Sequence, residues 1–498
     1  MAVVTTPPKA AMDKRTCLLG GESQTRSLLG AGLSMAQWGA VAGTVALDCV
    51  AVMITRSWIA VVVGAAVSGG LWLGLRHHSS EGDPWSSAWW SARRYARERR
   101  TGRNVTTEGT VPEAVGHVSF LVHTTPATPA PLLVLRHENP ATPTHYTATM
   151  EVTGMGGGLR EVAEVNRQGR WFGELLYELS RTAKPVDTVS VLSRSVPLDP
   201  AQYRNWLAER MVPSAPAIAR EALWELADAT AGTAEEHRAY VTLRLPASAV
   251  AERAREQGRS GTDGQLGVVL ATLAEVARFA TEHGLAVRQA LGPARWSSLV
   301  RHLYLPDQPL DADDDIAPET CWPATTNERQ YVIATDGDKR WFHAVASVPK
   351  DAWPMRDVGV RWLEPLVAGI DPPMVRSVIS TFRLTPRLAA RKRAKGDLVV
   401  DEADVRSAQM AGKVTDGTSN AQAAATQQRL HDLLHEAAAG CSPQMHVVVS
   451  APSAVALGAA RVRMEAAAQD IDIARLRWWD GRHAQAMALG LPLARGAR

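Results

Sequence analysis

The glycine run Gly154-Met155-Gly156-Gly157-Gly158-Leu159 is the first place where this chain offers phosphate chemistry. A phosphate cradle needs GxxxxGK[ST], in which backbone amides and a lysine meet the phosphate oxygens. The run lacks the lysine. It also fails GxGxxG, because Leu159 stands where the third glycine belongs. Gly412-Lys413-Val414 lacks both the upstream glycine and the hydroxyl. The plain reading of the glycine run is a turn after a strand. Asp311, Asp313, Asp314 and Asp315 cluster, but without the EF-hand spacing, its glycine or its closing glutamate. They read as a solvated connection. His77 and His78 are adjacent and cannot both face one metal from one helix face. Cys17, Cys49, Cys321 and Cys441 are far apart and form no ligand or disulfide framework. No GxSxG, HExxH or HxE…CxxC occurs. The sequence therefore assigns no catalytic residue, no cofactor and no metal.

The elements around these residues are of two kinds. Ala36 to Ile54 is almost continuously apolar, and Trp58 to Leu75 is a second such run. At a rise of 1.5 Å per residue each run covers roughly the 30 Å core of a bilayer. Only Thr55, Arg56 and Ser57 separate them. The sequence thus predicts a transmembrane hairpin over 35–76, against the alternative of a helical hairpin inside a soluble core. Eleven of the twelve flanking lysines and arginines lie on the side of the chain termini, which predicts a multi-pass protein of the cell membrane with both termini cytoplasmic. Gly39 and Gly43 in the first run, and Gly70 and Gly74 in the second, are GxxxG pairs where two backbones approach closely. Asp48 lies inside the first run, either protonated or facing a partner helix.

Trp85, Trp89 and Trp90 precede Arg93, Arg94, Arg97, Arg99 and Arg100 in a juxtamembrane helix within 77–109. Rings at a boundary beside cations suit a lipid headgroup layer. Single-stranded nucleic acid is the second, less favoured reading of the same residues. Hydrophobic content of 46% and charged content of 21% exclude a disordered chain and a polytopic transporter for the remainder.

From residue 110 onward strand-like and helix-like stretches alternate. Strands are expected at 146–153, 186–192, 239–245 and 285–289, with helices at 161–179, from Pro200, at 266–280 and at 293–303. A linker at 306–328 follows. Strands then recur at 330–335, 341–347, 375–384, 445–450 and 471–478, with helices at 358–367, in pieces over 386–439, at 454–468 and at 482–488. Asp336-Gly337-Asp338 marks a hairpin turn. The expected fold is a membrane-anchored α+β protein. An N-terminal cytoplasmic segment (1–34) and the hairpin precede two α/β sandwich subdomains, at 110–305 and 329–498. No short internal repeat is visible.

The order of parts resembles the actinobacterial membrane proteins of conjugation and type IV secretion-like loci. In those, a PrgI-like hairpin is joined to a region similar to the non-catalytic N-terminal half of the transfer ATPase. The matching residues are Thr147-Ala148-Thr149-Met150-Glu151-Val152, Gly169-Arg170-Trp171-Phe172, Tyr240-Val241-Thr242-Leu243-Arg244-Leu245, and Gln485-Ala486 with Leu491-Pro492-Leu493. The resemblance implies a non-enzymatic inner-membrane scaffold, partnered by membrane lipid, a separate secretion or transfer ATPase and a possible second copy of itself. The alternatives are a membrane component of a type VII secretion system and a membrane-tethered enzyme.

Overall fold

The computed structural model describes residues 17–18, 35–76, 85–125, 128–139, 142–153, 162–181, 184–197, 206–212, 214–231, 235–308, 310, 316–354, 357–410, 418–435 and 438–496. The glycine run 154–159, the aspartates 311–315, and His77, His78, Lys413 and Val414 lie outside them.

Two helices stand at the start, α1 (Met35–Thr55) and α2 (Trp58–Arg76), followed by α3 (Trp85–Arg100). The transmembrane hairpin is the first expectation to be corrected. Helices form where predicted, but among the described residues no helix is long and apolar enough to cross a membrane. Alanine and glycine, which carry little apolar surface, make up 7 of the 21 residues of α1 and 7 of the 19 of α2, and Asp48 interrupts the first. Its carboxylate accepts the Ser68 hydroxyl at 2.5 Å, a polar contact between the two helices. The membrane anchor, the multi-pass location and the topology drawn from the positive charges fall together.

The second correction concerns the fold class. The chain does not form two separate sandwiches. Its strands build one thirteen-stranded sheet in which every pairing is antiparallel. The first half supplies β3 (Val118–Thr125), β4 (Thr128–His137), β5 (His145–Thr153), β6 (Thr188–Pro197), β7 (Glu235–Pro246) and β8 (Ala286–Ala290). The second supplies β9 (Ala324–Asn327), β10 (Val332–Asp336), β11 (Lys339–Ser347), β13 (Val375–Thr385), β14 (Gly440–Ala451) and β15 (Arg477–Trp478). The short β2 (Val105–Thr106) extends the edge at β9. A separate two-residue pairing joins β1 (Cys17–Leu18) to β12 (Asp357–Val358).

Outward from the centre the first half runs β6-β7-β5-β4-β3, with β8 beside β5. The second half runs β13-β14-β11-β10-β9, with β15 beside β11. The two orders are the same. In each half a hairpin leads to a third strand, a fourth strand forms the centre, and the fifth returns between them. A short strand beside the third and a terminal helix close the unit. The chain is thus a structural duplication, joined where β6 pairs with β13 from Thr188↔Arg383 to Ser195↔Arg376. The midpoint of that seam falls between Val191 and Leu192 on one strand and Ile379 and Ser380 on the other. One tetrapeptide repeats in register with this plan. Ser248-Ala249-Val250-Ala251 starts α6 (Ala247–Glu256) after β7, and Ser453-Ala454-Val455-Ala456 starts α12 (Ala454–Asp470) after β14. Four small residues in an alanine-rich chain are too few to signal a duplication alone.

Valine, isoleucine and threonine recur along the central strands, as a pleated surface covered on both faces favours. Helices α4 (Val162–Leu179), α6 and α7 (Gly261–Glu282) cover one face of the first half, and α12 covers the same face of the second. The opposite face carries α8 (Pro293–Tyr304), α13 (His483–Met487) and the segment after it, in one core shared by both halves. Trp296 and Trp322 anchor that core, fully buried and edge-to-face at 6.0 Å. Such a geometry adds about 0.5–1.5 kcal/mol beyond burial. The expected linker is therefore partly core: Cys321 and Trp322 are buried, and β9 lies within it.

Candidate functional site

The residues predicted to meet lipid lie on α3, a helix with the expected bounds. Trp85, Trp89 and Trp90 occupy its first turns. Arg93, Arg94, Arg97, Arg99 and Arg100 are all exposed. The helix is docked on the body. The Tyr95 hydroxyl donates to Glu328 at 3.1 Å, and the Gln485 amide donates to Glu98 at 3.3 Å. Arg94 pairs with Glu98 at 2.6 Å one turn on. The arginines form a basic ridge on a fixed support.

The predicted packing glycines are not where the two N-terminal helices touch. A Cβ added at Gly39, Gly43 or Gly70 would meet nothing within 4 Å. Gly74 lies in α2, and its surroundings are outside the described residues. The close approach is at Gly64, where a Cβ would stand 2.8 Å from Cγ of Asp48.

The more unusual feature was not anticipated. On the α8–α13 face, the middle of the sheet is polar yet buried. Thr149 bonds Thr242 at 3.0 Å, Ser190 bonds Thr381 at 3.2 Å, and His137 bonds Thr147 at 3.0 Å. These are cross-strand pairs, each satisfying a hydroxyl that burial would otherwise leave costly. Arg194 is fully buried among them and donates to the Ser377 hydroxyl at 3.0 Å and to the His302 carbonyl at 3.3 Å. Burial lowers its pKa to about 9, so it remains charged at neutral pH. Glu151, at 2% exposure, gathers Arg295 at 3.1 Å, Arg288 at 3.3 Å and Arg238 at 3.5 Å. Leu491-Pro492-Leu493 closes over this strip, and Thr149 donates to the Pro492 carbonyl at 3.4 Å.

Histidines concentrate on the same face. His145 stacks on His137 with ring centroids 4.6 Å apart. Burial, with Arg244 and Arg495 adding to it, lowers His145 to about 4 even though the Pro143 carbonyl bond opposes the shift. Burial likewise lowers His302 and His343 to about 3 and His446 to about 4. His343 sits 2.8 Å from both the Tyr304 carbonyl and the Ser450 hydroxyl. The carbonyl accepts only, so Nε2 carries the proton and Nδ1 accepts from Ser450.

Two constellations resemble catalytic ones, and hydrogen counting decides both. Ser195 Oγ lies 2.9 Å from His237 Nδ1, and His237 Nε2 lies 3.7 Å from Glu235. Ser195 also donates to the Val367 carbonyl at 2.6 Å, which consumes its one proton. His237 must then donate to the serine and cannot act as its base. Both Glu235 oxygens are held by Arg376, at 2.5 and 2.8 Å. His483 faces Asp480 at 3.0 Å, but its Nδ1 accepts the Val345 amide at 3.1 Å. No lone pair is left for a substrate proton. Among the described residues no group of three or more His, Cys, Asp or Glu side chains is placed to hold a metal ion.

The strip arises from alternation that the sequence does display. Thr147, Thr149 and Glu151 on β5 are polar at every second position, as are Arg238, Thr242 and Arg244 on β7 apart from Tyr240 between the first two. Taken alone, that pattern signals a solvent-facing side. The covering segment lies 343 residues further along the chain from Thr149, so nothing local announces the burial.

Compared with known proteins, the chain matches no family model and no curated protein.

Proposed function

We propose that this chain is a non-catalytic scaffold subunit of a type IV secretion-like or conjugative DNA-transfer machine and works beside a separate ATPase. One observation carries the reading. The four segments on which the family resemblance rests come together around β5. Thr147–Val152 lies on β5 and pairs with Ala239–Arg244 of β7. Leu175, Leu176 and Leu179 of α4, the helix that bears Trp171 and Phe172, pack into the core beneath those two strands. Leu491-Pro492-Leu493 closes the other face on Thr149. A resemblance made of scattered short segments gains weight when the segments form one contiguous unit. The hydrogen counts at Ser195 and His483 fit a body whose polar groups hold structure.

Purification of the tagged full chain from its native cells after cross-linking tests the proposal. A transfer-type ATPase should be recovered with it, and the chain alone should not hydrolyse ATP. Recovery without any ATPase would defeat the reading. So would ATP turnover by the purified chain that a substitution within it abolishes.

A further inference from the structure

At one end of the β6–β13 seam the polar strip opens into a cavity of about 570 Å³. Its walls come from the β4–β5 loop, the ends of β6, β7, β13 and β14, and the segment after α13. Three guanidinium groups line it: Arg244, Arg383 and Arg495. The one carboxylate among the lining residues is Asp187, 3.5 Å from Arg244. Arg383 is exposed, opposite Thr188 in the ladder, and no ion pair of its own is present among the described residues. Arg495 is oriented by bonds to the Ala114 and Val115 carbonyls. Thr144, Ser248 and Thr381 add neutral hydroxyl donors.

We propose that this cavity binds a small polyvalent oxyanion of the phosphate class, held by Arg244, Arg383 and Arg495. Three positive charges face one negative charge in a partly enclosed space, where charge-assisted bonds are stronger than in open water. A guanidinium fork matches two oxygens of one tetrahedral anion, and the hydroxyls suit the others. No tryptophan, tyrosine or phenylalanine lines the cavity, and the one lining ring, His145, already stacks on His137. The recognised chemistry is the phosphate itself, whether free or as the diphosphate of a nucleotide. This inference is independent of the scaffold reading, since the cavity is defined by its own residues.

Calorimetric titration of the purified full chain at fixed ionic strength tests it, with inorganic phosphate, pyrophosphate, ADP and adenosine as probes. Saturable one-to-one binding of pyrophosphate is expected. ADP should bind with similar affinity and adenosine not at all if the phosphate alone is read. Tighter binding of ADP than of pyrophosphate would show that the source is a nucleotide whose base is also held, and would overturn the assignment to phosphate chemistry. Arg383→Glu should weaken pyrophosphate binding about tenfold or more, because it removes one charge-assisted contact and adds a repulsive one. Arg383→Lys should lose less. Arg340→Glu, on the exposed part of β11, makes the same charge change elsewhere and should leave binding unchanged. Circular dichroism on each variant confirms the fold. No saturable binding, or equal weakening by Arg383→Glu and Arg340→Glu, would overturn the proposal.

Discussion

The two ends of the central β6–β13 seam occupy corresponding places in a duplicated plan and treat their charges in opposite ways. At one end Arg376 is fully buried. It is held by both Glu235 oxygens and by the carbonyls of Leu366, Val367 and Met374. Every direction around that guanidinium is filled, and the site is closed. At the other end Arg244, Arg383 and Arg495 surround open space, with Asp187 as the one carboxylate lining it. A buried charge persists only when its partners are supplied by the fold itself. An excess of charge at a cavity persists only because solvent, or something else, completes it. The first end is a structural rivet, and the second is where the duplication has room to bind.

The largest test of this contrast lies at the closed end. Glu235→Ala leaves Arg376 buried without its carboxylate and should cost about 3–5 kcal/mol in urea unfolding. Replacing both together, Arg376→Met with Glu235→Leu, should recover most of that loss. If the single substitution is silent, the closed end is not closed.

Next is the cover over the polar strip between the ends. Leu493 is fully buried, and Leu493→Ala should destabilise by about 2–5 kcal/mol. Hydrogen exchange at β5 and β7 should accelerate with it. Unchanged exchange there would place the cover elsewhere.

Acid comes third. His145 and His446 titrate at about 4, and His302 and His343 at about 3, because burial disfavours their charged forms. In the unfolded chain they titrate near 6.5. Between those values the unfolded chain binds more protons than the folded one, so stability falls as pH falls. The slope reaches about 1.4 kcal/mol per pH unit for each histidine kept neutral. Urea midpoints at pH 7 and pH 5 read it directly. His145→Phe should flatten the slope, and an unaltered slope would remove that histidine from the account.

The smallest effect belongs to the open end. Arg383→Ala should change stability by no more than about 0.5 kcal/mol, the range of a surface substitution. A larger loss would mean that this arginine supports the fold and is not held ready for a ligand.

Much of the local structure was legible in the sequence. The sequence pattern located β5 and β13 closely and the later parts of β7 and β14, and Pro293 marked the first residue of α8. The β3–β4 hairpin was not read, because Pro129 and Pro131 make β4 look like a loop. The sequence predicts a strand over 471–478, but only Arg477–Trp478 pairs, against Ala346 and Ser347. The sequence predicts a helix over Val358–Val367, yet only Glu364–Val367 is one. The apolar N-terminal runs gave their helices but not their environment. The duplication was invisible because sheet order depends on pairing between distant strands. Two halves that share their strand order and a single tetrapeptide leave no periodicity to find. The polar strip was hidden for a related reason, since its cover arrives from the far end of the chain.

The seam also decides how the molecule would carry a mechanical load. Among the described residues, eight pairs on β6 and β13 join the two halves at the centre of the sheet. A pull along those strands strains all the rungs together, as in a lap joint. A pull across the sheet opens them in turn, as in a zipper. The rungs of the seam therefore resist one axis more than the other, and the core shared by both halves backs them. The rivet at Arg376 sits where such a zipper would start from one end, and the cavity sits where it would start from the other.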